Sequence, residues 1–335
     1  MNKVFITGAS GMVGSHLAEF LLANTDWEIY CLLRWRSPLD NLTQVLPYVN
    51  RKERVHFVYG DLTDATSLDR VVKQIVPDYV FHLAAQSFPQ VSFDSASATY
   101  ETNVLGTEHL LAALKQHSPK AQIHVCSSSE VFGRVPKEFV PINEDCRFHP
   151  ASPYAISKVG TDLVGQFYAE AYEMNVYITR MFTHTGPRRG DVFAESTFAK
   201  QIAMIERGFQ EPAIQVGNLD SLRTFADVRD AVRAYYMLLT SDLKPGSVFN
   251  IGGTYSCTVG EMLNFLISLS TVNDIKVQED PERLRPIDAD LQVPDCSAFK
   301  AATGWEPEIS FEKTMRDLLD YWRERIALSG EMVNR

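Results

Sequence analysis

Short apolar runs and amphipathic stretches alternate through the first half of the chain. KVFITG (3–8), EIYCLL (28–33), VHFVYGD (55–61), YVFHLAA (79–85), QIHVCS (122–127) and VYITRMF (176–182) are nearly continuous in apolar and β-branched residues and predict strands. Between them, GSHLAEFLLANT (14–25), TSLDRVVKQI (66–75), NVLGTEHLLAALKQH (103–117) and YAISKVGTDLVGQFYAEAY (154–172) have helical periodicity and predict helices. Strands with no polar face are buried on both sides. Alternating with helices, they predict an α/β fold whose parallel sheet is covered on both faces.

From about Thr183 the pattern becomes irregular. PRRGDVFAEST and PERLRPIDADLQVPDC read as loops, while FAKQIAMIERGF, TVGEMLNFLISLS (258–270) and FEKTMRDLLDYWRERI read as helices. FADVRDAVRAYYMLL (225–239) and VFNIGG (248–253) read as a helix and a strand that return to the sheet. The expected organisation is a doubly wound parallel sheet from residues 1–182 plus about 224–252. A smaller, interleaved C-terminal substrate domain takes about 183–223 plus 253–335.

Composition narrows the function. The chain has 335 residues, 45% apolar and 22% charged, as expected of a globular protein. Its formal charge of −10 is spread along the chain without a Lys/Arg run, which argues against nucleic-acid binding. No apolar run is long enough for a bilayer, so no membrane partner is expected. The N-terminal MNKVFITGAS reads as a strand and turn rather than a signal peptide. Five cysteines without a CxxC pair point to a reducing, cytoplasmic setting. Eight histidines without ligand spacing predict no metal. An acidic chain that binds an anion must concentrate positive charge locally, so isolated arginines matter.

The candidate chemistry follows the strands. GASGMVG sets Gly8, Gly11 and Gly14 between the first strand and the first helix. Glycine there permits a tight turn, close approach to phosphate and close helix–strand packing, and the helix N-terminus receives a pyrophosphate. This predicts a Rossmann-type dinucleotide site, with Met12 in the same turn and Ala84 and Ala85 after the fourth strand. Where an acid would bind the ribose diol of NAD, the chain has Arg34 and Arg36, which suit a 2′-phosphate and favour NADP over NAD. The alternative is a pair of solvated loop arginines. Asp61, with Leu62 beside it, either meets the adenine amino group or belongs to a helix N-cap region.

Tyr154 and Lys158 stand four apart at the start of a helix and so share a face. An ammonium beside a phenol favours the phenolate and can hold the nicotinamide ribose. Ser127, Ser128 and Ser129 offer a hydroxyl beyond the preceding strand. Glu130 follows them, either as a loop glutamate or as a carboxyl group able to take one proton and give it to another atom.

The ordered elements GASGMVG, GDLTD, HLAA, NVLGT, SSSE and YAISK resemble the extended short-chain dehydrogenase/reductase superfamily over essentially the whole chain. The resemblance implies a catalytic triad of Ser128, Tyr154 and Lys158, and Asn103 as a structural or proton-relay residue. It also implies a nucleotide-sugar substrate in the C-terminal cleft and a homodimer or homotetramer. RWRSPLDN, AAQSFPQVSF, SSSEVFG, PRRG and GNLDSLR resemble the GDP-mannose 4,6-dehydratases. This implies a GDP-sugar substrate, contacted by Ser87 and Thr183 and gripped at its diphosphate by Arg223 and Arg285. Glu130 would then perform the elimination. Thr183 stands where that family has Asn, and Ser196-Thr197 where it has Arg-Lys. TFAKQI, RTFADVRDAV and RLRPIDAD resemble the GDP-4-keto-6-deoxymannose reductases instead, so a net reductase is the alternative. An epimerase or a nucleotide-sensing protein is further off.

Overall fold

The computed structural model describes residues 1–284 and 289–329. Its strands are β1 (Lys3–Thr7), β2 (Glu28–Leu33), β3 (Val55–Tyr59), β4 (Tyr79–His82), β5 (Gln122–Cys126), β6 (Val176–Met181), β7 (His184–Thr185), β8 (Ala213–Val216), β9 (Leu222–Asp227), β10 (Val248–Ile251), β11 (Tyr255–Thr258), β12 (Lys276–Glu279) and β13 (Leu291–Gln292). The helices are α1 (Met12–Asn24), α2 (Leu46–Arg51), α3 (Ala65–Ile75), α4 (Pro89–Asp94), α5 (Ala96–Tyr100), α6 (Gly106–His117), α7 (Pro153–Ala171), α8 (Ala194–Glu206), α9 (Val228–Thr240), α10 (Val259–Ser268), α11 (Ser297–Thr303) and α12 (Phe311–Ser329).

A parallel sheet in the order β10-β6-β5-β4-β1-β2-β3 is the frame, as the apolar strands predict. Alternation along β1 divides its two cores. Val4 and Ile6 pack with α1 and α9 through Leu17 and Tyr235, and Phe5 packs with α3, α6 and α7 through Val72, Leu110 and Tyr168. A further core joins α8, α10 and α12 through Ile202, Met262 and Trp322. Phe299 of α11 and Trp305 pack back onto the first of these cores.

The C-terminal half holds more strand than its periodicity predicts. Residues 225–227, read above as helix, finish β9, and α9 begins only after Asp227, whose Oδ1 accepts the Arg229 N–H at 2.8 Å. A carboxylate that caps the helix forces extended backbone before it. Likewise α8 starts at Ala194, inside the stretch read as a loop. No helix among the described residues is long and apolar enough to cross a membrane.

One buried polar chain fastens the centre. Thr7 Oγ1 accepts the N–H groups of Leu83 and Ala84, both at 3.2 Å, so its own hydrogen goes to His82 Nδ1 at 2.8 Å. His82 is therefore the Nε2–H tautomer and donates to Thr107 Oγ1 at 3.0 Å. Thr107 in turn donates to the Asn103 carbonyl at 2.6 Å. Burial holds both His82 and His124 at a pKa of about 3. Unfolded histidine titrates near 6.5. Their neutral forms thus contribute stability above about pH 6.5, and it is lost as pH falls from there towards 3. Urea unfolding between pH 7 and pH 5 should show stability falling by up to about 1.4 kcal/mol per pH unit for each such histidine. His82→Gln should be less stable at pH 7 and show a shallower slope, whereas an unchanged slope would remove His82 from this account.

Candidate active site

The strand order reverses between β1 and β4, and the loops after these strands part there. They open into a cleft of about 1220 Å³, lined by Ser128 and Tyr154 from the sheet side and by Phe198 and Arg223 from the C-terminal elements.

The glycine turn forms its near end. Gly8 has a left-handed backbone (φ 73°), and a Cβ there would lie 2.8 Å from the Ala84 nitrogen. A Cβ on Gly14 would lie 2.3 Å from the Gly8 carbonyl oxygen, so α1 can sit this close only without side chains. The Gly11 N–H closes the turn onto the Gly8 carbonyl at 3.0 Å, and Met12 is buried in the first helical turn. Among the described residues no side chain caps α1, whereas Asp64, Ser152, Asp227 and Thr258 cap α3, α7, α9 and α10. Open N–H groups at a positive dipole end fit a pyrophosphate.

Arg34 lines the cleft, its N–H donating to Ser37 Oγ at 3.0 Å. Arg36 is exposed, takes a left-handed backbone (φ 70°) and is not among the lining residues. Buried Asn41 reaches from the same loop to the Ser10 carbonyl at 3.0 Å and ties it to the glycine turn. Asp61 lines the cleft, and its Oδ1 accepts from the Thr63 N–H and hydroxyl at 3.0 and 2.9 Å. The α3 cap itself is Asp64. Leu62, Ala84 and Ala85 also line the wall.

The far end is chemical. Ser128 opens a single 3-10 turn after β5, its Oγ accepting the Glu130 N–H at 3.2 Å. Ser152 caps α7 by accepting the Ala155 N–H at 3.0 Å, and the Tyr154 N–H donates to Ser92 of α4 at 3.0 Å. One turn on, the Lys158 ammonium donates to the Cys126 carbonyl at 2.8 Å. Burial pushes the Tyr154 phenol up, Ser128 and Arg189 pull it back, and Cys126 and Glu130 push it further. Burial lowers the Lys158 ammonium. Half-buried Glu130 lines the same cleft. Asn103 holds the backbone that follows β4: its Oδ1 accepts the Gln86 N–H at 2.7 Å, and its Nδ2 donates to the Gln86 carbonyl and to Ser157 at 2.9 and 2.8 Å.

Of the expected substrate contacts, exposed Ser87 and half-buried Thr183 line the cleft. Arg223, on β9, lines it too and donates to the Ala289 carbonyl. Arg285 lies outside the described residues. Ser196, fully buried, donates to the Arg189 carbonyl at 2.7 Å and accepts the Trp322 indole N–H at 2.8 Å, so it holds the loop rather than facing a ligand. Arg189 and Glu195 are cleft residues that the sequence reading did not single out. The PRRG motif signals the arginine, and nothing in the sequence signals the glutamate.

The family model for GDP-mannose 4,6 dehydratase matches residues 5–318. The chain is 30% identical to a GDP-6-deoxy-D-mannose reductase of Pseudomonas aeruginosa, covering 97% of this chain and 98% of that one. It is 31% identical to a GDP-mannose 4,6-dehydratase of Yersinia enterocolitica, covering 95% and 93%. The solved structure of RMD from Pseudomonas aeruginosa complexed with NADPH is similar at a TM-score of 0.82 and 30% identity, covering 97% of this chain and 100% of that one.

The glycine geometry carries a prediction. Gly14→Ala should force α1 off the turn and weaken dinucleotide binding at least about tenfold by calorimetry. Undiminished affinity would mean that the turn does not hold the pyrophosphate.

Proposed function

The chain belongs to the GDP-mannose 4,6 dehydratase family, and from that premise we propose that it is an NADP-dependent GDP-sugar 4,6-dehydratase. It would convert GDP-mannose or a close relative to the GDP-4-keto-6-deoxy sugar. The observation that carries this reading is Glu130, a carboxyl group in the same cleft as Tyr154 and close enough to raise its proton affinity.

When bound, NADP would supply hydride acceptor and donor chemistry for C4 and C6. The protein does the rest. Tyr154 takes the C4 hydroxyl proton, with Ser128 sharing the oxygen and the buried Lys158 charge favouring the phenolate. The 4-ketone acidifies C5–H. Glu130 removes the C5 proton and gives a proton to the C6 hydroxyl, which leaves as water; C5 then takes a proton back as C6 is reduced, balanced by the one Tyr154 took from the C4 hydroxyl. The glycine turn, Met12, Asp61, Leu62, Ala84 and Ala85 would hold the cofactor. Arg34 and Arg36 would select the 2′-phosphate. Ser87, Thr183, Arg223 and Arg285 would hold the nucleotide sugar.

The second reading, a reductase of the 4-keto sugar using NADPH, is supported by the 30% identity to the Pseudomonas reductase. The same triad would serve it, with Glu130 auxiliary. We further propose two functional units: residues 1–182 plus about 224–252 for the cofactor, and about 183–223 plus 253–335 for the sugar nucleotide. A cytoplasmic homodimer or homotetramer is supported by five free cysteines and by exposed Ile156, Leu163 and Phe167 along α7.

Purified protein given GDP-mannose and no reduced cofactor should form the 4-keto-6-deoxy product. Turnover of a keto sugar alone, with stoichiometric loss of NADPH, would establish the reductase instead. Glu130→Gln should lower product formation by about 10²–10⁴-fold and leave a 4-keto sugar that retains its C6 hydroxyl, an outcome a reductase would not give. Arg34→Ala should raise KM for NADP by about tenfold to a hundredfold and leave KM for NAD nearly unchanged. An equal rise for both would take Arg34 out of 2′-phosphate selection.

A further inference from the structure

The loop after β7 carries two arginines with different partners. Arg188 turns to α1, pairing with Glu19 at 2.7 Å and donating to Ser15 Oγ at 3.2 Å. Arg189 stays in the cleft wall. Its Nε donates to Glu195 Oε1 at 3.0 Å, and its guanidinium lies 3.4 Å from the centre of the Phe193 ring. Glu195 is itself buried, in the first turn of α8, where the helix dipole favours an acid. Phe193 packs against Phe88 at 6.0 Å, just before α4, whose Ser92 receives the Tyr154 N–H. Arg189 is thus built into the wall of the site that holds the reacting hydroxyl.

We propose that Glu195 is a positioning residue for the reaction: it anchors and partly neutralises Arg189, so that the guanidinium presents a fixed, moderated positive charge to the Tyr154 hydroxyl. The inference deepens the reading above and rests on Tyr154 as its proton-transfer group. Two observations give it direction. The Arg189 charge lowers the proton affinity of Tyr154, while Glu130 and Cys126 raise it and the neighbouring Ser128 lowers it. Lys158 stands on the same helix, and charge on Tyr154 raises the proton affinity of Tyr235 of α9. Burial disfavours the charge on Arg189 and Glu195 favours it, but a guanidinium stays protonated with or without that partner, so what the Glu195 carboxylate sets is the net field of the pair. Glu195→Gln keeps an acceptor for the Arg189 Nε–H but removes the counter-charge, so the full guanidinium charge acts on Tyr154. Arg189→Met removes that charge.

The test is the pH profile of kcat for wild type, Glu195→Gln, Arg189→Met and the double variant, with melting temperatures to show that each folds. The limb that reports Tyr154 should move to lower pH in Glu195→Gln and to higher pH in Arg189→Met, each by about half a unit or more. The double variant should match Arg189→Met alone. Limbs that stay in place while melting temperatures fall would make the pair merely structural. A Glu195→Gln effect that survives in the Arg189→Met background would show that Glu195 does not act through Arg189. The direction of movement is the same whether Tyr154 accepts a proton in oxidation or gives one in reduction. Failure of wild type to dehydrate GDP-mannose therefore overturns the dehydratase reading separately, and the limbs are then read on keto-sugar reduction.

Discussion

The hydroxyl–imidazole–hydroxyl chain from Thr7 through His82 to Thr107 is the constraint on which the rest hangs. It lies where the strand order reverses, and it joins β1, β4 and the start of α6 without a charge. Each member has one donor role and spends it, so only one tautomer of His82 fits. Thr7 also holds the backbone of Leu83 and Ala84 against Gly8, which sets the floor of the glycine turn. Thr107 ends on the carbonyl of Asn103, whose side chain fixes Gln86 and Ser157. The loop after β4 and the helix α7 thus take their places from the same few hydrogen bonds.

The chain is acidic by ten charges, yet its cleft holds several arginines. Acids beside these cations reconcile the two facts. Glu19 faces Arg188, Glu195 faces Arg189 and Asp280 faces Arg283. A buried guanidinium without such a partner carries a large desolvation cost. The pairing also means that positive potential in the cleft depends on how each pair is arranged, not on the number of arginines.

Much of this was legible in the sequence, because strands buried on both faces and helices with one apolar stripe announce themselves by period. The limits of β2 at Glu28–Leu33 coincide with the apolar run EIYCLL, and the glycine turn reads directly from its spacing. The C-terminal half hid more. The strand β12 is exposed at every residue, so it has no apolar signature at all. The strand β9 runs straight into the helix-like DVRDAV, and only the cap at Asp227 divides them. The role of Glu195 was invisible because a lone acid near a helix start is ordinary. Its partner lies across a loop, and burial of the pair is a tertiary fact.

Ser196 has a consequence for how this pocket could be rebuilt. Its hydroxyl is wedged between the Arg189 backbone and the Trp322 indole, with no exposed surface. Transplanting the Arg-Lys dipeptide of the GDP-mannose dehydratases into positions 196 and 197 would drive a long cation into the seam between α8 and α12. The loop that carries Arg188 and Arg189 would lose its tether in the same stroke. At this wall the helix start, the arginine loop and the last helix would therefore have to be exchanged together.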